Sequence, residues 1–282
     1  MGTLYVVATP IGNMGDITIR AKEILSSVSL IAAEDTRVSG MMLDRLGINK
    51  PLVSYHKFNE KEKSFGIIEK LKQDDFDVAI VTDAGTPCIS DPGSVLVKEA
   101  VEAGICVVGI PGASAVTLAL SISGFDTTSF AFYGFFPRNK KEQAEFCEKI
   151  KNDSIKCAVL YESPKRLEKS LSVLQEYFSD DEVCVCNDLT KKFERIYRGK
   201  ISEVLKEIQE NEKSELGEYA IVLEKQIVEK IEKNEEVSLE AKIFDYYIQG
   251  YTIKECTDLL TKIGVSRNDA YNAGLKVKKL LQ

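Results

Sequence analysis

Several carboxylates and one arginine stand among glycine- and proline-rich turns in the first half of the chain. Glu34, Asp35 and Arg37 follow an apolar run in AAEDTR, and Asp83 and Asp91 fall within VTDAGTPCISDPG. Carboxylates can accept protons, and glycine-rich loops let the backbone approach a ligand closely. These residues predict a ligand-binding cleft with few titratable groups. Tight structural turns and a buried ion pair are the alternative interpretation.

Other common catalytic and metal-binding chemistries find little support in the sequence. The chain has seven scattered cysteines and one histidine, His56, so zinc-ligand spacing is absent and a Ser-His-Asp triad would depend on that histidine alone. The first loop has Gly12-x-x-Gly15 rather than G-x-G-x-x-G, and no GK[ST] phosphate loop occurs. We therefore expect reduced thiols, no metal site, and neither a Rossmann nor a nucleotide-hydrolase motif.

The candidate residues lie where apolar strands are expected to end. The runs LYVVATP, SLIAAED, PLVSYH, DVAIVTDAGTP and ICVVGIPG are each followed by a helical pattern. This alternation is typical of a parallel sheet with helices on both faces, and ligands bind such sheets outside the carboxyl ends of the strands. The segments ATPIGNMGD, AAEDTR, VTDAGTPCISDPG and GIPGASA are thus predicted to meet at one edge.

Local signals also predict where the first helices begin, end and bury their side chains. Asp16 is expected to cap the first helix, and Gly47 to end the second. Phe65, Ile68 and Leu71 have the spacing of an apolar stripe on the third helix.

The pattern changes after FAFYGFFPRNKK. The strand candidates KCAVLYESP, EVCVCNDLT, ERIYRG and GEYAIVLEK alternate with charged helices near 139–151, 164–177 and 200–213, which favours a mixed sheet. A Glu/Lys-rich stretch then precedes a helical tail. We predict an N-terminal α/β domain over residues 1–130, a second α/β domain over 131–226, and a small helical C-terminal unit over 239–282.

The charge of the chain restricts its partners. The formal net charge is −7, so no global positive field attracts nucleic acid or anionic lipid, and any RNA contact must use local basic patches. The start lacks a basic region followed by a long apolar stretch, and glycines and a proline interrupt the uncharged stretch 103–125. We expect a cytoplasmic protein without a membrane segment.

Six segments occur together in order: GTLYVVATPIGNMGDITIRA, AAEDTR, VTDAGTPCISDPG, PGASA, YESPKR and NDLTK. In order and spacing they resemble the tetrapyrrole methylase superfamily, and within it the bacterial enzymes that methylate a cytidine 2′ oxygen in small-subunit (16S) ribosomal RNA. The resemblance covers roughly residues 2–225 and is weaker in the tail. It implies a two-domain α/β fold, S-adenosylmethionine bound between the domains, and a homodimer.

The resemblance also implies which residues contact the methyl donor. For Gly85 and Ala115 the physical reason is room, because a larger side chain would occupy ligand volume. Asp83 has an alternative role as a turn or helix cap. The implied contacts are Pro10, Asp83, Gly85, Thr86, Ile89, Ser114, Ala115, Tyr161 and Thr190.

Methyl transfer to a ribose requires a proton acceptor, because a 2′-hydroxyl is a very weak acid. Glu34 and Asp35 are the best candidate bases, and Arg37 is a candidate partner for a phosphate or for orienting the acceptor. An ion pair among these three is the alternative. His56 is a weaker candidate base, since a lone histidine after a strand is more often structural.

Contact with RNA is expected from three basic clusters near strand ends of the second domain. Each cluster alone is ordinary solvated surface, but three at one rim would form an electrostatic footprint. Tyr133, Phe135 and Phe136 are candidates for stacking on an unpaired base, but at least two of the three are expected to pack in the core instead. The clusters are Arg138, Lys140 and Lys141; Lys165 and Arg166; and Lys191 and Lys192 with Arg195 and Arg198.

The tail has the sequence pattern of a helix-turn-helix, with Gly264 at the turn, Ser266 as a cap, and an apolar stripe that includes Tyr247 and Ile263. Three roles fit this pattern: binding of rRNA, a contact between the subunits of a dimer, and capping of the protein core.

For the whole chain, two alternatives to rRNA methylation remain: methylation of a tetrapyrrole carbon, and a non-catalytic ribosome assembly factor.

Overall fold

The computed structural model describes residues 1–179, 181–211, 214–226 and 238–281. The chain divides into two compact units, Met1–Ile227 and Val228–Gln282. The first unit contains two five-stranded sheets. Because both sheets fall in one compact unit, the division of this part into domains 1–130 and 131–226 stays a prediction.

The first sheet is parallel throughout, with strand order β3-β2-β4-β1-β5, as the alternating pattern predicts. Its strands are β1 (Thr3–Val7), β2 (Leu30–Ala33), β3 (Leu52–Ser54), β4 (Val78–Val81) and β5 (Cys106–Ile110). The helices that follow these strands are α1 (Ile19–Ser27), α2 (Thr36–Leu46), α3 (Glu60–Leu71), α4 (Ser94–Glu102) and α5 (Ala115–Ser123).

Alternate residues of the central strands bury themselves on opposite faces of this sheet. Ala32 and Ile80 belong to a core with side chains of α3 and α4. Ile31, Ala79 and Val81 belong to a second core with side chains of α1 and α2. A strand with both faces covered must be apolar at every position, which is why LIAA and VAIV are buried throughout.

Two of the local predictions are wrong, and one is confirmed. Thr18, not Asp16, caps α1, since the Thr18 side chain accepts from the Ala21 amide, while Asp16 ends a short 3-10 helix. Phe65 is 70% exposed. The buried face of α3 is instead formed by Ile67, Ile68, Leu71 and the small Ser64. Gly47 ends α2 in the left-handed conformation, as predicted.

The second sheet is mixed, with order β6-β7-β10-β8-β9, as predicted. Among the described strands of this second sheet, only β6 and β7 pair in parallel. The strand β6 was not predicted, and its register shifts between Phe132 and Phe135, on either side of Gly134 in a left-handed conformation. The elements are β6 (Phe130–Phe135), α6 (Lys140–Asn152), β7 (Cys157–Glu162), α7 (Leu167–Tyr177), β8 (Glu182–Asn187), β9 (Arg195–Lys200), α8 (Ile201–Gln209) and β10 (Tyr219–Glu224).

One helix connects the two sheets of the first unit. The helix α5 follows the first sheet, but its Val116, Ala119 and Leu120 pack into a core with Val159 and Val222 of the second sheet. The opposite face of the second sheet is covered by α6, α7 and α8. The second sheet is therefore also buried on both sides, once by its own helices and once by α5.

Residues 238–281 of the second unit form three helices: α9 (Leu239–Ile248), α10 (Ile253–Lys262) and α11 (Arg267–Leu280). Its core contains Ile243, Cys256, Leu260 and Val277. The predicted cap is confirmed, because the Ser266 side chain accepts from the Asp269 amide. Tyr247 and Ile263, expected in the apolar stripe, are exposed.

Within the described ranges of both units, no helix has the length and apolar character needed to cross a membrane.

Candidate active site

A cleft of about 310 Å³ opens at the carboxyl edge of the first sheet. The four strand ends that were expected to meet at one edge all contribute to it, and its other wall comes from the second sheet. The lining residues are Ile11, Glu34, Asp83, Ala84, Gly85, Thr86, Ile89, Ser90, Asp91, Ser114, Ala115, Phe135, Tyr161, Cys186, Leu189, Glu218, Tyr219 and Ala220.

Hydrogen bonds connect the loops that form the first wall. The backbones of Thr9 and Gly85 bond in both directions, at 2.8 and 3.1 Å, which joins the loops after β1 and β4. The Thr86 hydroxyl donates to the Ala113 carbonyl at 3.1 Å, and the Asp35 amide donates to Asp83 Oδ1 at 3.1 Å. The loops after β1, β2, β4 and β5 are thus held together, which favours a cleft formed before any ligand binds.

Unfavourable backbone conformations flank the cleft. Cys88, Ser90, Asp188 and Thr190 are non-glycine residues with φ between 51° and 72°. Each such conformation costs about 1 to 3 kcal/mol and persists only where the surrounding structure enforces it. Strain of this kind concentrates at functional sites, so its position on both walls supports the cleft as the active site.

The cleft holds carboxylates whose negative charge is unfavourable. Burial raises the pKa of Glu34, and the nearby Asp83 carboxylate raises it further. Burial, followed by the charge of Glu34, raises the pKa of Asp91 to about 6, although Lys57 acts in the opposite direction. Like charges in a partly desolvated space are relieved by a cation or a proton. The first wall is therefore suited to a ligand that carries positive charge.

Asp35 and Arg37 form an ion pair beside the cleft and not within its lining. Asp35 caps α2 by accepting from the Arg37 amide at 2.8 Å, and it accepts from Arg37 Nε and Nη2 at 3.0 and 2.6 Å. These hydrogen bonds hold the pKa of Asp35 well below its usual range. A carboxylate so stabilised is a poor proton acceptor. Among the three predicted catalytic residues, only Glu34 lines the cleft.

Most residues implied as donor contacts lie in the cleft. Asp83, Gly85, Thr86, Ile89, Ser114, Ala115 and Tyr161 are in the lining, whereas Pro10 and Thr190 each lie next to a lining residue.

Thr190 provides a test of whether these residues fit a polar cofactor. Its Oγ1 atom is buried without a hydrogen-bond partner in the described part of the chain, and a Cβ atom on Gly12 would lie 3.2 Å from it. A buried polar atom without a partner is rare in folded proteins and calls for a ligand or a water. The strand-end loops and Thr190 therefore fit a bound cofactor.

The second wall was largely missed by sequence reasoning. Cys186 comes from β8, and Tyr219 and Ala220 come from β10, with Glu218 directly before it; the apolar pattern of both strands indicates only a buried strand. Leu189 was detectable through its place in NDLT, directly before Thr190. The described residues contain no group of histidines, cysteines and carboxylates that could hold a metal ion.

The predicted RNA-binding residues divide into two groups. Arg138, Lys140, Lys141, Lys165 and Lys192 are exposed, as are Arg195 and Arg198.

The second group has internal partners. Arg166 pairs with the fully buried Glu162 carboxylate and donates to the Phe136 carbonyl at 2.9 Å. Lys191 pairs with Asp188 at 2.7 Å and with Glu218 at 3.0 Å. Although Arg198 is exposed, its guanidinium also donates to the Ile122 carbonyl at the end of α5. These three cations stabilise the fold.

The three aromatic residues before α6 also differ in their environments. Phe136 is in the core, and Tyr133 packs against that core and donates to Asp153 Oδ2 at 2.7 Å. Phe135 is 57% exposed and lines the cleft. The expectation that at least two of the three serve packing is confirmed.

Comparison with known proteins agrees with this geometry. The sequence matches the family described as Tetrapyrrole (Corrin/Porphyrin) Methylases over residues 3–205. The chain therefore belongs to the tetrapyrrole methylase family, and the fold expected from the resemblance is confirmed.

Several relatives carry the name Ribosomal RNA small subunit methyltransferase I, and two of them illustrate the match. The one from Bacillus subtilis is 42% identical over 272 residues, which cover 95% of this chain and 91% of the relative. The one from Thermotoga maritima is 43% identical over 223 residues, which cover 98% of that relative but only 79% of this chain.

Solved structures show the same fold at low identity. Diphthine synthase superimposes with a TM-score of 0.60 at 16% identity, covering 79% of this chain and 90% of that one. Uroporphyrin-III-C-methyltransferase from Thermus thermophilus superimposes with a TM-score of 0.55 at 18% identity, covering 79% and 94%.

Asp91→Asn should stabilise the protein at neutral pH. In the wild type the folded pKa of about 6 lies above the ordinary value of 3.8, so the protein loses stability as pH rises from about 4 through 6 and this carboxyl ionises. The neutral amide avoids that loss. We expect the free energy of unfolding to rise by about 1 kcal/mol at pH 7.5, allowing for solvent screening, and by only about a third of that at pH 4.5, where the folded carboxyl is still protonated. Denaturant titrations at both pH values measure this, with the exposed Asp44→Asn as control. An equal gain at both values would contradict it.

Arg166→Ala should destabilise the protein far more than the exposed Lys165→Ala. Removing the guanidinium leaves the Glu162 carboxylate buried with only the Ser163 and Ser170 donors. We expect a loss of about 2 to 4 kcal/mol for Arg166→Ala and under about 0.5 kcal/mol for Lys165→Ala. Equilibrium unfolding measures both. Similar small losses would show that Arg166 has no structural role.

Proposed function

We propose that this protein is an S-adenosylmethionine-dependent methyltransferase that methylates the 2′ oxygen of a cytidine ribose in 16S rRNA of the small ribosomal subunit. The observation that carries the proposal is the 42% identity, over 95% of this chain, to a protein named as a small-subunit rRNA methyltransferase. The likeness to the uroporphyrin enzyme is 18% and supports the fold alone. A cytoplasmic homodimer is the proposed assembly.

The cleft suits S-adenosylmethionine, which carries a sulfonium and an ammonium group and supplies an electrophilic methyl when bound. The negative charges of the carboxylates in the first wall repel one another, and those cationic groups would stabilise the ionised carboxylates. Gly85, Thr86, Ser114, Ala115 and Tyr161 would hold the cofactor, and Thr190 Oγ1 would gain its missing hydrogen-bond partner. Pro10, Asp83 and Ile89 complete the proposed contacts.

Within the proposed reaction, Glu34 accepts the proton of the ribose hydroxyl. It lines the cleft, and its raised pKa makes it more basic than an ordinary carboxylate. Asp35 caps α2 and holds Arg37, whose side chain is 86% exposed beside the cleft. A guanidinium held in this way can bind an RNA phosphate and orient the acceptor nucleotide.

The proposed RNA contacts outside the cleft use Arg138, Lys140, Lys141, Lys165 and Lys192. Their charges lie at the surface of a protein with a net charge of −7. Arg166 and Lys191 contribute by keeping the adjoining loops in place, because carboxylates of the chain already neutralise their charges.

The proposal is tested on small subunits from cells that lack the gene. Purified protein with methyl-labelled S-adenosylmethionine should place label in 16S rRNA, and mapping should find it as a single 2′-O-methylcytidine. Label in a porphyrinoid instead would favour the tetrapyrrole alternative. Subunit binding without any turnover would favour an assembly factor.

Ala115→Leu should strongly weaken cofactor binding without unfolding the protein. Ala115 is the first residue of α5 and lines the cleft, so a leucine there fills ligand volume on a helical backbone. We expect at least about a tenfold loss of S-adenosylmethionine affinity, measured by calorimetry. Thr117→Leu, on the exposed side of the same helix, is the matched control. Unchanged S-adenosylmethionine affinity for Ala115→Leu would exclude this end of the cleft from the cofactor-binding site. Gly85 is less suitable for this test, because its φ of 86° would strain any substituted side chain.

The helical second unit is proposed to help bind rRNA. It forms a compact unit of its own, and residues 239–282 contain seven basic and five acidic residues. The Thermotoga relative matches only 223 of the 282 residues although nearly all of its own length aligns. The methyltransferase fold can therefore exist without a part of about this size.

Deleting residues 239–282 should leave S-adenosylmethionine affinity unchanged and weaken binding to the small subunit. The salt dependence of subunit binding should become shallower, because fewer phosphate contacts remain. Binding across a salt series measures both effects. Unchanged subunit affinity in a folded truncation would leave the unit a structural role.

A further inference from the structure

Phe58 is the most exposed large apolar side chain of the described residues, at 98%. It lies in the connection between β3 and α3, at the carboxyl edge of the first sheet, where the cleft opens. Burial of such a ring contributes about 1.5 to 3 kcal/mol of favourable free energy, and the fold of this protein leaves the ring in solvent. The ring is therefore available to a partner.

The backbone that carries Phe58 is held in place on both sides. The His56 amide donates to Asn59 Oδ1 at 2.8 Å, and the Asn59 amide donates to the His56 carbonyl at 2.9 Å. Asn59 Nδ2 also donates to the Ser54 carbonyl at the end of β3, at 3.2 Å. The tight turn at residues 56–59 presents the ring outward on a fixed support, so little conformational entropy is lost when it binds.

The turn is attached to the wall of the cleft. Lys57 Nζ donates to the carbonyl of Ser90, a lining residue, at 2.8 Å. Phe58 is the next residue along the chain.

The charge around the turn is locally positive. Residues 56–63 contain three lysines and two glutamates. Glu60 accepts from the Gly93 amide at 2.8 Å, and Glu62 pairs with Lys63 at 3.6 Å. Three lysines against two glutamates give the segment a small positive charge, so this segment opposes the approach of a polyanion less than the net charge of the whole protein does.

We propose that Phe58 stacks on an unpaired base of the substrate RNA next to the nucleotide that enters the cleft. The inference rests on the proposed function and extends it to a specificity-determining residue. A cleft of about 310 Å³ with two walls has room for one nucleotide and not for a stacked helix, and a nucleotide that leaves its stack exposes the faces of its neighbours. An exposed phenyl ring beside the cleft provides a stacking surface for such a neighbouring base, and the lysine next to it provides a positive charge for the RNA phosphates.

Substitutions that separate stacking from general apolar contact test the proposal. Phe58→Ala should weaken binding to small subunits by about 5- to 100-fold, the contribution of one stacked base, and raise KM more than it lowers kcat. Phe58→Trp should bind at least as well as the wild type, and Phe58→Leu should bind as poorly as alanine. S-adenosylmethionine affinity should not change. Phe65→Ala, which removes a 70% exposed ring from the middle of α3, is the matched control.

Fluorescence gives a second readout, because the chain contains no tryptophan. The single tryptophan of Phe58→Trp should be quenched on subunit binding, since stacking on a base quenches indole emission. The tryptophan of Phe65→Trp should not respond.

Three results would overturn the inference: full subunit affinity for Phe58→Ala, no quenching at position 58, or rescue by leucine. Rescue by leucine would indicate an apolar contact with a ribosomal protein instead. A wild type that neither binds nor methylates subunits would refute the proposed function together with this inference. An active wild type with an unaffected Phe58→Ala would refute the inference alone.

Discussion

The packing of α5 against the second sheet is the contact on which the rest of the first unit depends. This helix follows the last strand of the parallel sheet, yet its buried side chains join the core of the other sheet. Ser114 and Ala115, at its start, line the cleft, and the Arg198 guanidinium bonds the carbonyls at its end. One apolar layer therefore sets the spacing between the two walls. The buried residues Val116, Ala119, Leu120 and Ser123 have the spacing of one helical face, and this face packs against the second sheet.

The proposed function requires two ligands of opposite charge. The ionised carboxylates in the cleft repel one another and would be stabilised by a cationic methyl donor, whereas the proposed RNA substrate is a polyanion that the net charge of −7 would repel. Productive binding of RNA then requires specific local contacts at the edge of the cleft. Such an enzyme gains selectivity, because unstructured RNA makes too few of those contacts to overcome the repulsion.

Several cations that look alike in the sequence have different physical roles. Arg166 neutralises a carboxylate that is wholly buried, Lys191 bridges two acidic residues, and Arg198 bonds the end of a helix. Lys165 and Lys192, their neighbours along the chain, are exposed. For Arg166 the burial of the opposing carboxylate decides the difference, since an unpaired charge in the interior is costly and one in water is not.

Features that depend on neighbours along the chain could be predicted from local patterns. Short-range patterns and the rule for parallel sheets account for the alternation of strands and helices, the left-handed end of α2 at Gly47, the cap at Ser266 and the meeting of four strand-end loops. Long-range packing selected the buried face of α3, because helical spacing permits both Phe65 and Ile67. It also decided that Glu34 enters the cleft while Asp35 pairs with Arg37. The wall formed by Cys186, Glu218 and Tyr219 depends on the pairing of β8 with β10, strands more than thirty residues apart, and local periodicity carries no information about such pairing.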